Sequence, residues 1–245
     1  MGRGIAQILA LGGHTVQLFD QQPAAVQNAI DSLRKVLERL VEKGKLSADD
    51  AQAAIARLVP ADSLEALADT ELVVEAIIER LDAKQQLFQA LEAIVSADAI
   101  LASNTSSLSV TAIASQCKHP ERVVGFHFFN PVPLMKVVEV VTGTRTKPAI
   151  MDTMCELATA CGHRAVRCQD SPGFIVNHAG RGFGTESLKL LGEGVADVPT
   201  IDTILREQVS FEGRGFKLGP FELMDLTGLD VSHPVMLSLY DQYYA

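Results

Sequence analysis

The chain has 245 residues, 47% of them apolar and 21% charged, an ordinary globular balance that argues against disorder. At about 100–200 residues per domain, it makes one large domain or one domain with a small companion. Its 21 basic and 30 acidic residues leave a net charge of −9, which argues against a nucleic-acid surface, and no apolar run reaches the roughly 18 residues of a membrane span.

The opening residues Met1 to Ala6 do not read as a secretory signal, because the apolar stretch is short and interrupted by Gln7. Ala6 stands where the myristoylation pattern wants Ser or Thr. Cys117, Cys155, Cys161 and Cys168 show no C-x-x-C and no accompanying His spacing, so no metal is expected. They read as free thiols of a reducing, cytoplasmic compartment.

In chain order, His14–Asp20 reads as a strand with a polar end. Residues 24–43 carry apolar Val26, Ile30, Leu33, Leu37 and Leu40 at steps of three and four, so they predict an amphipathic helix stopped by Gly44. Ser47 and Asp50 form a capping-box pattern for a second helix to about Arg57. Leu72–Ile78 is a nearly continuous apolar run, as in a strand covered on both faces. A helix over about 84–95 follows, then strands at 99–103, 123–129 and 137–142, a helix at 150–161 and a strand at 164–168. This alternation predicts βαβ units and a doubly wound, mainly parallel sheet over residues 1–170. After Asp170-Ser171-Pro172-Gly173 the pattern turns helical to the end, which predicts a smaller all-helical domain over 171–245.

In a Rossmann-like fold a Gly-rich turn opens a helix, and an acidic residue about 20 positions on binds a ribose 2′-hydroxyl. The step from Gly2 to Asp20 is 18 residues and suits the last glycine of that fingerprint. Asp20 fits a simple strand-end turn equally well. If it is the ribose ligand, its charge repels a 2′-phosphate, so NAD is expected over NADP.

Three segments concentrate polar chemistry. Ser103-Asn104-Thr105-Ser106-Ser107 sits at a strand's carboxyl end, where open α/β sheets place ligands. It also fits a plain helix cap and turn. His127-Phe128-Phe129-Asn130-Pro131 ends another strand, and Glu139 lies inside Val137-Val138-Glu139-Val140-Val141. A carboxylate among valines is costly to bury without a partner. His127 on the neighbouring strand can face it, and such a pair makes the imidazole a better general base.

These segments resemble the L-3-hydroxyacyl-CoA dehydrogenases of the 3-hydroxybutyryl-CoA type. S-N-T-S-S-L, H-F-F-N-P-V-P-x-M-K, V-E-V-V, S-P-G-F-I-V-N and G-P-F-E-L-x-D-x-x-G-L-D occur in order between Gly2 and about Asp230. The resemblance implies NAD-dependent oxidation of an L-3-hydroxyacyl-CoA, in fatty-acid or related catabolism. It makes His127 the general base and Glu139 its orienting partner. Ser106 holds the substrate's 3-oxygen, and Asn177 polarises the substrate from the second domain. Gly2, Asp20, Glu79, Lys84, Ser106 and Asn130 fall at cofactor positions. Ser32 and Arg39 fall near the coenzyme A site more loosely, with Arg34, Lys35 and Lys43 as further candidates for its phosphates. The resemblance also implies a homodimer through the helical domain.

Two other readings stay open: a related dehydrogenase of a free 3-hydroxy acid such as carnitine, and a cofactor-binding protein without activity. Two stretches depart from the family pattern. Ala179–Gly184 is rich in glycine for a helix, which predicts close packing or a break there. The stretch from Phe211 to Phe216 also varies. The first strand and first fingerprint glycines of the fold are missing, and further C-terminal helices are expected, so the sequence reads as trimmed at both ends.

Overall fold

The path of the chain follows from where its apolar residues can be covered. The structure, a computed structural model, describes residues 1–211 and 214–244. By contacts the chain divides into two compact units, Met1–Ser171 and Pro172–Ala245.

The first unit runs α1 (Gly2–Leu11), β1 (Val16–Leu18), α2 (Pro23–Glu42), α3 (Ala48–Ala56), β2 (Leu58–Pro60), β3 (Leu72–Glu75), α4 (Leu81–Ile94), β4 (Ile100–Ser103), α5 (Val110–Ala114), β5 (Val123–Phe128), β6 (Val137–Thr142), α6 (Pro148–Ala160) and β7 (Arg164–Gln169). Strands β3 to β7 pair in sequence order to form a five-stranded sheet. All its pairs are parallel except β5 with β6. The strands β1 and β2 form a separate parallel pair.

Helix α1 joins the two pieces. Its residues Ile5, Ile8 and Leu9 pack in one core with Val124, Phe126 and Phe128 of β5, Val138 and Val140 of β6, and Met151 and Met154 of α6. Ala6 and Ala10 on its other side join Val26, Ile30, Leu33 and Leu37 of α2 and Ala51 and Ala54 of α3. Covered on both sides, α1 buries every residue from Ile5 to Ala10, the polar Gln7 included. Helix α5 covers the opposite face of the sheet. A side chain added at Gly125 of β5 would meet Val110 of α5 at 2.9 Å.

Differences from the sequence reading have local causes. The cap is as expected: Ser47 Oγ accepts from the Asp50 amide at 3.0 Å. The apolar run from Leu72 leaves the sheet at Glu75, because the Glu75 carboxylate accepts the Ile77 amide at 2.6 Å and turns the chain. Ile77 and Ile78 are exposed beyond it. The sequence does not predict strand β2; with three residues ending in Pro60 it is too short to show a period.

The second unit is helical: α7 (Val176–Gly192), α8 (Val198–Glu207), α9 (Pro220–Thr227) and α10 (Leu229–Tyr244). It adds one short antiparallel ribbon, β8 (Ser210–Phe211) with β9 (Arg214–Gly215). The glycine-rich stretch does not break α7. Close approach occurs at Gly184 alone, where a Cβ would meet Met224 Cε at 2.9 Å, while Gly180 and Gly182 face open space. Of the variant stretch from Phe211 to Phe216, Glu212 and Gly213 lie outside the described residues. Among the described residues no helix is long and apolar enough to cross a membrane.

Candidate active site

Antiparallel pairing of β5 with β6 sets His127 directly opposite Glu139. Side chains alternate faces along a strand. His127 and Glu139 therefore share the Gly125 and Val141 face, and Phe126, Phe128, Val138 and Val140 point into the other core. The His127 Nδ1 to Glu139 Oε2 distance is 2.7 Å. Their side chains are 6% and 1% exposed. An ionised carboxylate can only accept, so Nδ1–H donates and the basic lone pair falls on Nε2. This is the tautomer a general base needs, and the buried carboxylate stabilises the imidazolium that forms when Nε2 takes a proton.

The loop after β4 is organised by one carboxylate. Glu79 Oε1 accepts from Thr105 Oγ1 at 2.6 Å, the Ser106 amide at 2.8 Å, and the Ser107 amide and hydroxyl at 3.0 and 3.1 Å. Burial opposes ionisation of Glu79 most. The Lys84 ammonium, the Thr105 hydroxyl and the Ser106 amide outweigh it and hold the carboxyl below its ordinary value. Lys84 is 1% exposed. Its Nζ lies 2.6 Å from Glu75 and 3.2 Å from Glu79. The structure therefore places Lys84 beneath the loop, facing two carboxylates. Asn104 ties the loop to β5, its Oδ1 accepting the Phe128 amide at 2.9 Å.

The carboxyl ends of the parallel strands β3, β4 and β5 share one edge of the sheet. They bring Glu79, Ser106 and Asn130 to that edge, Ser106 half-buried and Asn130 exposed. The start of α1 lies there too. A Cβ at Gly2 would be 3.7 Å from Ala76, and one at Gly4 would be 2.9 Å from Val132. Gly4, which the spacing argument passed over, is thus the glycine that close packing requires. The first turn of α1 has no side-chain cap and no acidic residue, and Met1, Gly2 and Arg3 are exposed. Such a helix end suits an anionic pyrophosphate, so these residues fit a dinucleotide. Asp20 is exposed just past β1, its Oδ1 accepting the Gln22 amide at 2.8 Å.

Ser32 and Arg39 lie on α2, seven residues or about two turns apart, and so share a face. Arg39 is exposed with Arg34, Lys35 and Lys43. The Ser32 hydroxyl donates to the Asn28 carbonyl at 2.7 Å. Asn177 is in the second unit, in the first turn of α7, and is half-buried.

Sequence reasoning missed four positioning residues. Glu75 is buried and accepts the Ser103 hydroxyl at 2.7 Å; a charge inside the apolar run from Leu72 was the available signal. Asn104 stands in the Ser103–Ser107 segment, whose pattern gives it no role of its own. Asp170 accepts the Ser109 hydroxyl and the Val110 and Thr111 amides at 2.7 to 2.9 Å, so it caps α5 from the end of β7. His163 is buried, its Nε2 3.0 Å from the Val132 carbonyl and its Nδ1 3.2 Å from the Cys161 carbonyl. It ties the stretch after Asn130 to the turn before β7. The contacts that fasten distant segments have no local signal, because Asp170 to Val110 and His163 to Val132 span 60 and 31 residues.

The sheet and the helix start at its carboxyl edge define a Rossmann-type α/β protein, with a buried His–Glu pair beside that edge. The chain belongs to the 3-hydroxyacyl-CoA dehydrogenase family: residues 1–171 match its NAD binding domain and residues 173–245 its C-terminal domain. It is 43% identical to the 3-hydroxyadipyl-CoA dehydrogenase of Escherichia coli, covering 100% of this chain and 50% of that protein. It is 37% identical to the 3-hydroxybutyryl-CoA dehydrogenase of Clostridioides difficile, covering 99% and 85%. A crystal structure of a 3-hydroxybutyryl-CoA dehydrogenase from Escherichia coli superposes with a TM-score of 0.95 at 43% identity, covering 100% of this chain and 51% of that one. The chain thus spans about half the length of the Escherichia coli relatives.

Proposed function

We propose that this chain carries the catalytic core of an NAD-dependent L-3-hydroxyacyl-CoA dehydrogenase, which converts L-3-hydroxyacyl-CoA and NAD to 3-oxoacyl-CoA, NADH and a proton. The observation that carries the reading is the buried His127–Glu139 contact of 2.7 Å. His127 Nε2 takes the proton of the substrate's 3-hydroxyl. Glu139 keeps the ring in that tautomer and offsets the positive charge it gains. The Ser106 hydroxyl orients the 3-oxygen, and Asn177 helps polarise the substrate. NAD, when bound, supplies the acceptor for the hydride leaving C3. Gly2 and the start of α1 would hold its pyrophosphate, and Glu79 and Asn130 line the same edge. Asp20 would hold the ribose 2′-hydroxyl and reject a 2′-phosphate. Ser32 and Arg39 on α2 would meet coenzyme A.

The names of the relatives favour a short acyl chain, with or without a distal carboxylate. On the same reading the chain acts as a homodimer through its helical domain, in the cytoplasm, in acyl-CoA breakdown. The test is NADH oxidation with acetoacetyl-CoA. His127→Ala is expected to lower kcat about 10²–10⁴-fold with little change in KM. Near wild-type turnover by that variant overturns the assignment. Equal turnover of free 3-hydroxy acids overturns the CoA specificity, and NADP used as readily as NAD overturns the role of Asp20.

A further inference from the structure

We infer that His163 is a positioning residue of the cofactor edge, whose imidazole closes a brace that holds helix α1 at both ends. The inference rests on the reading that the start of α1 meets the cofactor's pyrophosphate; the brace itself rests on geometry.

Helix α1 is pressed at two points. At its start, a Cβ at Gly4 would lie 2.9 Å from Val132 Cβ, so the stretch between β5 and β6 bears on the first turn. At its end, a Cβ at Gly12 would lie 2.7 Å from Cys161 Sγ, so the turn between α6 and β7 bears on the cap. Gly12 has a φ of −72°, which any residue adopts, so glycine is needed there for room and not for backbone freedom. Eight residues of helix, about 12 Å, separate the two contacts. Ile5, Ile8 and Leu9 lie between them, in the same core as Val132 and Cys161.

His163 joins the two pressing segments. Its Nε2 is 3.0 Å from the Val132 carbonyl and its Nδ1 is 3.2 Å from the Cys161 carbonyl. A carbonyl only accepts, so Nε2–H donates to Val132. That one bond closes the brace, because Cys161 and His163 belong to the same turn, where the His163 amide donates to the Ala158 carbonyl at 2.9 Å. The ring is buried and meets Phe128 edge-on, with centroids 5.5 Å apart. The backbone also joins the two segments at Lys136, whose carbonyl accepts the Arg164 amide at 2.7 Å. The ring carries the tie back to Val132, two residues past Asn130. Two cofactor candidates, the start of α1 and Asn130, thus depend on one imidazole, whereas the pairing of β5 with β6 holds His127 and Glu139.

The test compares two amides. In His163→Gln the side-chain nitrogen takes the place of Nε2, and in His163→Asn it takes the place of Nδ1. NADH affinity is read by fluorescence titration of the whole chain. It is expected to stay near wild type in His163→Gln and to fall about tenfold in His163→Asn. In both, kcat at saturating NADH and acetoacetyl-CoA is expected to stay near wild type. A role confined to the Cys161 turn gives the reverse order of affinities, which overturns the inference, as do equal affinities in the two variants. If neither variant folds, the far end of α1 decides. Gly12→Ala is expected to weaken NADH binding by a similar factor, and Cys161→Ala added to it to restore binding. Unchanged affinity in Gly12→Ala overturns the inference. If the wild-type chain binds no NADH, the reading of the α1 start falls and urea midpoints judge the brace. They are expected to drop in His163→Asn and Gly12→Ala and to stand near wild type in His163→Gln and in the double variant. Any other order overturns the brace.

Discussion

Glu139 shows what a single residue contributes. It is a lone acid in a strand of valines, and the pairing of β5 with β6 supplies the histidine that makes its burial tolerable. Glu139→Gln retains the shape but not the charge. If the amide turns its oxygen to His127, the tautomer survives and the imidazolium loses its stabilising partner. If it turns its nitrogen, the tautomer reverses. Either way kcat is expected to fall about tenfold or more while KM changes little, measured by steady-state kinetics with acetoacetyl-CoA. A proportional rise in KM with unchanged kcat would place Glu139 in ground-state binding instead. Thiols contribute no comparable chemistry. Burial pushes Cys117 up to about 11, and burial together with the Glu139 charge pushes Cys168 up to about 12.

At the scale of elements, α5 depends on contacts distant in sequence. It has five residues; its own Ser109 accepts the Ala112 amide at 3.1 Å, but its first two amides are satisfied, and its seat is supplied, from elsewhere. Asp170 satisfies the Val110 and Thr111 amides and orients the capping Ser109. Asp170→Ala is expected to destabilise the first unit by about 1–2 kcal/mol, the cost of a lost cap, read from urea denaturation. Beneath α5, Gly125 leaves the space the helix occupies. A Cβ there would lie 2.8 Å from Val141 and 2.9 Å from Val110. Neither branched side chain can swing away within a filled core, so Gly125→Ala is expected to cost about 1–3 kcal/mol. Gain of stability in that variant would show that α5 is not seated as described.

Over the whole molecule, pH acts through groups that folding shifts in opposite directions. Glu79 is depressed in the folded chain, so its contribution is present above the ordinary carboxyl value and is lost as pH falls through the folded one. Cys168 is raised, so the folded chain holds that proton more tightly. Its contribution is complete below the ordinary thiol value of 9.0 and is lost as pH climbs toward about 12. Between pH 9 and pH 11, wild type is therefore expected to lose more stability than Cys168→Ala. Urea midpoints at pH 7, 9 and 11 measure it, and parallel losses in the two proteins would contradict the placement of Cys168.

The alternation of strands and helices in the first unit, the helical second part, the Ser47 cap and the opposition of His127 and Glu139 are all legible in the residues alone. These are local or nearest-neighbour properties: residue periodicity, side-chain hydrogen bonds within a turn, and the two-residue alternation of adjacent strands. Strand β2 stayed hidden because three residues show no period, and the end of β3 because a side chain rather than a breaker turns it. It takes the packed fold to show that Gly4 rather than Gly2 meets a tight neighbour, that Lys84 lies beneath the Ser106 loop, and that Asp170 and His163 fasten distant segments. Each depends on which atoms folding brings within about 3 Å, and that proximity depends on how whole elements pack.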